Sequence, residues 1–362
     1  MKLASTSRVK PGTTLAQSIY NDNGVVLIAR GIEITETMIV RLLEQGVTYI
    51  YIEDEHTKDV HVESIIPDKL RSRASKTIKE AFVDISKNGL TDKTSFLLDE
   101  KQGELSEISG DLLDNIITNG KSISLLADIY ISDNYIFHHS INVAIYSLSI
   151  GLKLNMPIQK LKELAIGAML HDVGKVFIDQ KVLHKPGSLT DEEFAIMKTH
   201  AELGYDFLRK QNEFSSIIAH CAYQHHERLD GSGYPRGLKG DEIITAAKII
   251  GIADVFDAVT SNRVYRKALL PHEGLEIIYA GAVDLFDIKM VEAFRESIVV
   301  YPNGLSIRLS DHREAVVIRQ NKHLCDRPIV RVIVEDGVQV SIPYEVDLGL
   351  EMNLTIKDVL KN

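Results

Sequence analysis

The sequence predicts a mainly α protein: a helical bundle with a small β-containing region at each end. Three observations carry this. Apolar residues recur at three- and four-residue spacing from about residue 129 to about 298. Short β-branched and aromatic runs with turn signals lie before and after that stretch. The chain has 362 residues, 44% hydrophobic and 25% charged, an ordinary globular balance with length for two or three domains.

In chain order, residues 1–63 read as a small β-rich domain. GVVLIARG and VTYIYIED are its strand candidates, Asn21-Asp22-Asn23-Gly24 a turn, and TETMIVRLLEQG a helix between Thr35 as cap and Gly46 as stop. Residues 64–128 are charged and poor in glycine, so long connecting helices are expected, with a break near NGLTDKTS. Residues 129–310 hold the bundle: YIFHHSINVAIYSLSIGLKL, IQKLKELAIGAMLHDVGK, TDEEFAIMKTHAELGYDFLRK, EFSSIIAHCAYQHHER and EIITAAKIIGIADVFDAVTS are its helical segments. The third opens on a capping box, Thr190 with Glu193. Residues 311–362 form a β extension, a small antiparallel sheet in which IVRVIVEDGVQVSIP is a hairpin about an Asp-Gly turn.

A formal net charge of −10 argues against duplex nucleic acid and anionic membranes as partners. No apolar run approaches the roughly 18 residues of a membrane span, and no signal peptide opens the sequence. The two cysteines, Cys221 and Cys325, form no metal or redox motif, so the cytoplasm is the expected compartment. Basic residues nevertheless gather in one third of the chain (Lys175, Lys185, Arg228, Arg236, Lys239, Arg263, Arg266 and Lys267), enough to set a local field for a small phosphorylated ligand.

Eight of the thirteen histidines lie between His138 and His226. His139, His171 with Asp172, His200, His225 with His226, and Asp254 fall on five successive helical segments. Each alone reads as a core or capping residue. Together they recur at intervals of 32, 29, 25 and 28 residues, one pass of a helical bundle each, so all can reach a common interior point. Five imidazoles and two carboxylates exceed the ligand set of one transition-metal ion and suit two, with positions left for water and substrate. Asp172 has two oxygens with which to bridge them. A nitrogen-rich set without thiolate favours iron, manganese or zinc over magnesium or calcium.

HDVGK, HHERLDGSGYP, ADVFDAVTSNRVYRK and YPNGLSIRLSD together resemble the HD-GYP family, a branch of the HD superfamily of metal-dependent phosphohydrolases, over about residues 129 to 310. VKPGTTLAQSIYNDNGVVLIARG is similar to a small domain often found with it. The resemblance implies an HD-type helical bundle that hydrolyses cyclic di-GMP to linear pGpG and/or GMP at two or three metals. It assigns His139, His171, Asp172 and Asp254 to one ion, and His200, His225 and His226 to the other, with Asp172 bridging. Lys175 would meet the scissile phosphate; Tyr234 would stack on or hydrogen-bond the substrate; Arg263 and Arg266 would hold its phosphates. The catalytic roles fall to Asp172 and Lys175, with a metal-bridging hydroxide as nucleophile.

Gly174 is expected to let the chain turn, Gly231 and Gly233 to adopt backbone angles closed to other residues, and Pro235 to stiffen the loop. His138, His184, His220, His272, His312 and His323 match no ligand position. Family members with a third metal have a glutamate four residues before the first histidine ligand. Here Tyr135 stands there, so two divalent ions, iron or manganese, are expected. Two other functions fit the same motifs: a cyclic dinucleotide sensor with little turnover, and a hydrolase of a mixed cyclic dinucleotide. The sequence leaves room for a homodimer or a signalling-protein partner.

Overall fold

A computed structural model describes the chain except for residues 22–24, 63–64, 89–91, 120–129, 132–134, 186, 262–267, 322–323 and 361–362; at 84, 86–88, 92–100, 119, 130–131 and 135 the description is confined to the backbone. The turn foreseen at 21–24 therefore lies largely outside the described residues, as do His323, Arg263, Arg266 and the side chain of Tyr135.

The N-terminal region carries β1 (Lys2–Ser5), β2 (Ile19–Asn21), β3 (Val26–Ile28), α1 (Glu36–Glu44) and β4 (Tyr49–Ile52). β1 pairs with β4, and α1 begins as predicted, with the Thr35 hydroxyl accepting from the Met38 N–H at 3.2 Å. Gly46 follows the helix at φ 78°, a left-handed angle at which glycine avoids the Cβ penalty. Leu15, Ile19, Ile34, Leu42, Val47 and Ile50 form this region's own core. Two helices connect it to the bundle, α2 (Asp68–Asn88) and α3 (Asp92–Asn119), and they pack on one another. The two-residue β5 (Tyr130–Ile131) runs parallel to β2.

The bundle comprises α4 (Tyr135–Lys153), α5 (Ile158–Leu170), α6 (Gln180–Leu183), α7 (Asp191–Leu208), α8 (Ser216–Gln224), α9 (Thr245–Thr260), α10 (Pro271–Ala280) and α11 (Ile288–Ser297). α4 is its axis, packing on α5, α9 and α11, while α8 lies between α5 and α7. Almost every side chain of α9 is buried, so Asp254 and Asp257 stand out as carboxylates in an apolar helix. Unpaired, each would cost several kcal/mol of lost hydration. α7 opens on the predicted capping box of Thr190 and Glu193.

The C-terminal sheet has β6 (Ser306–Leu309), β7 (Glu314–Arg319), β8 (Ile329–Glu335), β9 (Val338–Asp347) and β10 (Ile356–Val359), in the spatial order β10-β6-β7-β8-β9. All pairings are antiparallel, and Asp336 and Gly337, at φ 52° and 76°, make the two-residue turn between β8 and β9. β6 falls on the SIRLSD run, beyond the helical spacing that ends at about residue 298, so the sheet begins before residue 311. The two β regions are also not independent: Leu3 and Tyr51 share an apolar cluster with Leu270, Leu305, Ile307, Val317, Val330 and Val332. Arg331 seals that contact with two 2.7 Å hydrogen bonds to the Asp59 carboxylate. Among the described residues no helix is long and apolar enough to cross a membrane.

Candidate metal centre

Five helices bring the seven candidate side chains together. α4 contributes His139 from its first turn; α5 ends at His171, with Asp172 next; α7 contributes His200; α8 ends at His225, with His226 next; and α9 contributes Asp254. His139, His171, Asp172, His200 and His225 are at most 2% exposed. The chain turns inward at the ends of α5 and α8, where the last carbonyls carry the negative end of the helix dipole. Both ends therefore favour a cation at the point where they meet.

The possible ligand atoms fall into two sets, each within 4.8 Å internally: His139, His171 and Asp254, and Asp172, His200, His225 and His226. Asp172 joins them. Its Oδ2 lies 3.4 Å from His171 Nε2 and 3.8 Å from His139 Nε2, while its Oδ1 lies 3.5 Å from His200 Nε2 and 3.9 Å from His225 Nε2. Asp254 is similarly placed, with Oδ1 3.1 Å from His139 Nε2 and Oδ2 3.8 Å from His226 Nδ1.

The hydrogen bonds outside the cluster set the state of the rings inside it. Nδ1 of His171 faces the Ala168 carbonyl at 2.7 Å, Nδ1 of His200 the Met197 carbonyl at 2.7 Å, and Nδ1 of His225 the Ala222 carbonyl at 2.9 Å. A carbonyl only accepts, so each Nδ1 carries a proton and each ring turns its Nε2 inward. Burial, the largest influence, lowers the His200 pKa to about 4 and holds His225 and His226 well below the usual imidazole range. Near neutral pH two lone pairs thus face each other across 3.4 Å, from His200 Nε2 to His225 Nε2. His171 Nε2 and Asp172 Oδ1 are buried without a hydrogen-bond partner. Such a set of inward lone pairs fits cations and little else.

Charge differs across the cluster. Burial opposes a charge on His139, but hydrogen bonds to Asp254 and Asp257 outweigh it and raise its pKa to about 9. Burial likewise acts to raise Asp172, whereas Lys175 and His171 keep its pKa well below the carboxylate range. Lys175 Nζ donates to Asp172 Oδ2 at 2.5 Å from a side chain 20% exposed, one end at the cluster and the other toward solvent.

The HHERLDGSGYP loop folds back over the second set. Tyr234 stacks on His226, with ring centroids 4.6 Å apart, and stands edge-on to His200 at 6.3 Å. Gly231 has φ 85°, as expected of it. Gly233 corrects the sequence reading, because its φ is not left-handed, whereas Gly174 stands in a turn as expected. A Cβ on Gly233 would lie 2.4 Å from the His226 carbonyl oxygen, and one on Gly174 would lie 1.9 Å from the His200 carbonyl oxygen. Gly174 thus lets the turn Val173–Phe177 rest backbone-to-backbone on α7, which sets the distance between Asp172 and His200.

Sequence reasoning passed over three polar residues that support the site, the buried Asp257 and Glu227 and the partly buried Asn142. Asp257 Oδ2 meets His139 Nδ1 at 2.7 Å, and its Oδ1 accepts from Asn142 Nδ2 at 2.9 Å. Glu227 accepts from the backbone N–H groups of Arg236 and Leu238, at 2.8 and 2.9 Å, and ties the far side of the loop to the residue after His226. The i, i+3 pair of aspartates in an apolar helix was the available signal for Asp257. Among the histidines given no ligand role, His220 packs beside Tyr205 and Tyr223 instead, and His138 is buried next to His139 with its pKa lowered to about 4, chiefly by burial.

A helical bundle with a histidine–aspartate cluster at its centre defines an HD-type protein, and the comparisons agree. The HD domain family matches residues 124–290. The chain is 32% identical over 278 residues to a cyclic di-GMP phosphodiesterase of Thermotoga maritima, covering 76% of this chain and 71% of that one. It is 31% identical over 245 residues to cyclic di-GMP phosphodiesterase PA4108 of Pseudomonas aeruginosa, covering 67% of this chain and 59% of that one, so it spans less than two thirds of that relative's length. In fold it is similar to Bd1817, an HDG"Y"P protein from Bdellovibrio bacteriovorus, with a TM-score of 0.52 at 18% identity over 81% of this chain and 97% of that one. The chain belongs to the HD-GYP family of metal-dependent phosphohydrolases.

Proposed function

We propose that the chain hydrolyses cyclic di-GMP to linear pGpG and/or GMP at a pair of divalent transition-metal ions, iron or manganese, in the cytoplasm. His139, His171 and Asp254 would hold one ion and His200, His225 and His226 the other, with Asp172 able to contribute to both sets. The observation that carries this reading is the division of Asp172, one oxygen toward each set of imidazoles. When bound, two such ions supply Lewis acidity toward a phosphoryl oxygen and a water acidic enough to react near neutral pH. The protein contributes alignment and exclusion of bulk water: outward-tied rings keep every lone pair aimed at the centre, and the buried shell strengthens each charge in it.

Lys175 neutralises Asp172 in the metal-free protein and turns to the scissile phosphate once cations take over that task. Tyr234 covers His226 and forms one wall for the substrate. Arg263 and Arg266, which lie outside the described residues, hold the second phosphate through charge-assisted hydrogen bonds. Protein purified without oxygen should carry two ions per chain and turn over cyclic di-GMP faster than a mixed guanine–adenine cyclic dinucleotide. Tight binding with negligible turnover would identify a sensor, and a preference for the mixed nucleotide would reverse the substrate assignment. Replacing Arg263 and Arg266 by Ala should raise KM strongly and leave bound metal intact, at about 1.5 to 3 kcal/mol per lost contact.

A further inference from the structure

Arg71 is the largest fully buried side chain among the described residues, 1% exposed, and it sits on the connecting helix α2 rather than in the bundle. Its Nη1 donates to Asn142 Oδ1 at 2.8 Å. The Asn142 amide nitrogen donates to Asp257 Oδ1 at 2.9 Å, an oxygen that also accepts from Ser261 Oγ at 2.7 Å. The other oxygen of Asp257 meets His139 Nδ1 at 2.7 Å, and His139 Nε2 faces Asp254 at 3.1 Å. The chain of contacts runs unbroken from the connector to the metal centre.

Each link has only one workable sense. A guanidinium has no acceptor, so Asn142 must turn its oxygen to Arg71 and its amide hydrogens to Asp257. A carboxylate flanked by these donors accepts from His139 Nδ1, which turns His139 Nε2 toward Asp254 and the centre of the cluster. Flipping the Asn142 amide would set N–H against guanidinium and oxygen against carboxylate. Arg71 therefore determines the orientation of a side chain it does not touch.

We infer that Arg71 is a positioning residue: through Asn142 and Asp257 it fixes the ring and tautomer of His139, so that the connecting helix sets the affinity of one metal position and not the other. This rests on the metal-centre reading above. No comparable path reaches the second set among the described residues, since His200 and His225 are tied to carbonyls of their own helices. α2 also packs on α4 and on the Val173–Phe177 turn that carries Lys175. A shift of α2 would therefore reach the cluster through Arg71.

The test is titration of metal-stripped full-length protein with manganese against a chelator, reading two affinities. His139→Ala and His200→Ala identify which ion belongs to which set. Asn142→Ala should weaken the ion that His139→Ala removes by about 10- to 100-fold, the usual effect of losing a partner behind a metal-binding histidine, and leave the other within about twofold. Arg71→Met should weaken the same ion, and Arg71→Lys, which keeps the charge without the fork, should do so less. In a His139→Ala background, Asn142→Ala should add nothing. Equal weakening of both ions, an additive effect in that background, or unchanged affinities in folded Arg71→Lys and Asn142→Ala proteins would overturn the inference while the two-ion reading stands. A wild-type chain that takes up no ion would overturn both.

Discussion

The two halves of the cluster are built on different principles. His200, His225 and His226 form a set of imidazoles alone, and the rings of His200 and His225 are oriented by carbonyls three residues back in their own helices. His139, His171 and Asp254 form a mixed set in which His139 leans on Asp257, 118 positions away in sequence. The first arrangement is local: once α7 and α8 form, the rings are aimed. The second is tertiary, needing α4, α9 and α2 packed together before His139 points correctly. The metal-free protein reflects this, since the fold favours the charged, doubly protonated ring at His139 and the neutral ring at His200.

The largest effect should come from the group that the halves share. Asp172→Ala removes the oxygens facing both sets, and we expect loss of both ions and of turnover by a factor on the order of a thousand or more, with several kcal/mol of charge stabilisation gone. Metal analysis that still finds two ions would refute the bridge. Asp257→Asn should divide the halves, weakening one ion about 10- to 100-fold and sparing the other; competition titration with a chelator measures it. Gly174→Ala should disturb both halves by pushing the turn off α7, at about 1 to 3 kcal/mol of stability for an overpacked contact, read from urea unfolding midpoints.

The smallest expected effect is in pH, and it has opposite signs in the two halves. The pKa of His139 is raised in the fold, so its stabilising contribution is full below the unfolded value of about 6.5 and is lost as pH rises through about 9. The pKa of His200 is lowered, so between about 6.5 and 4 the unfolded chain takes up a proton that the fold refuses, and stability drops as pH falls. In metal-stripped protein, His139→Gln should flatten only the alkaline limb of the stability profile and His200→Gln only the acid limb. Urea midpoints between pH 5 and 9 would decide; identical profiles for both variants would show that the halves do not differ in this way.

The local half was the easier one to read from sequence. Ligands at helix ends or in regular apolar segments announce themselves by spacing, and the one-pass intervals placed all seven side chains on helices that converge. The caps at Thr35 and Thr190 and the Asp336-Gly337 turn were equally visible, because their chemistry is contained in three or four consecutive residues. What escaped was tertiary. Asp257, Arg71 and Glu227 were not among the residues that the sequence singled out. Their roles depend on what packs against them from elsewhere in the chain. Gly233 was singled out for the wrong reason, and for Gly174 the turn was only half of it: both require space beside another backbone, which no local signal encodes.

The cluster joining Leu3 and Tyr51 to Leu270 and the terminal sheet bears on how this protein can be cut. A fragment trimmed to residues 129–310 would keep every ligand yet strip the cover from Leu270, Leu305 and Ile307 and leave β6 without its partner strands. The two ends of the chain meet in one apolar cluster that takes in Leu270, at the start of α10, while α2, which bears Arg71, packs on α4 and on the Val173–Phe177 turn. A boundary drawn from motif coverage marks where the chemistry resides, and excision there would yield a sticky, weakened remnant. The smallest unit with native behaviour is much nearer the whole chain.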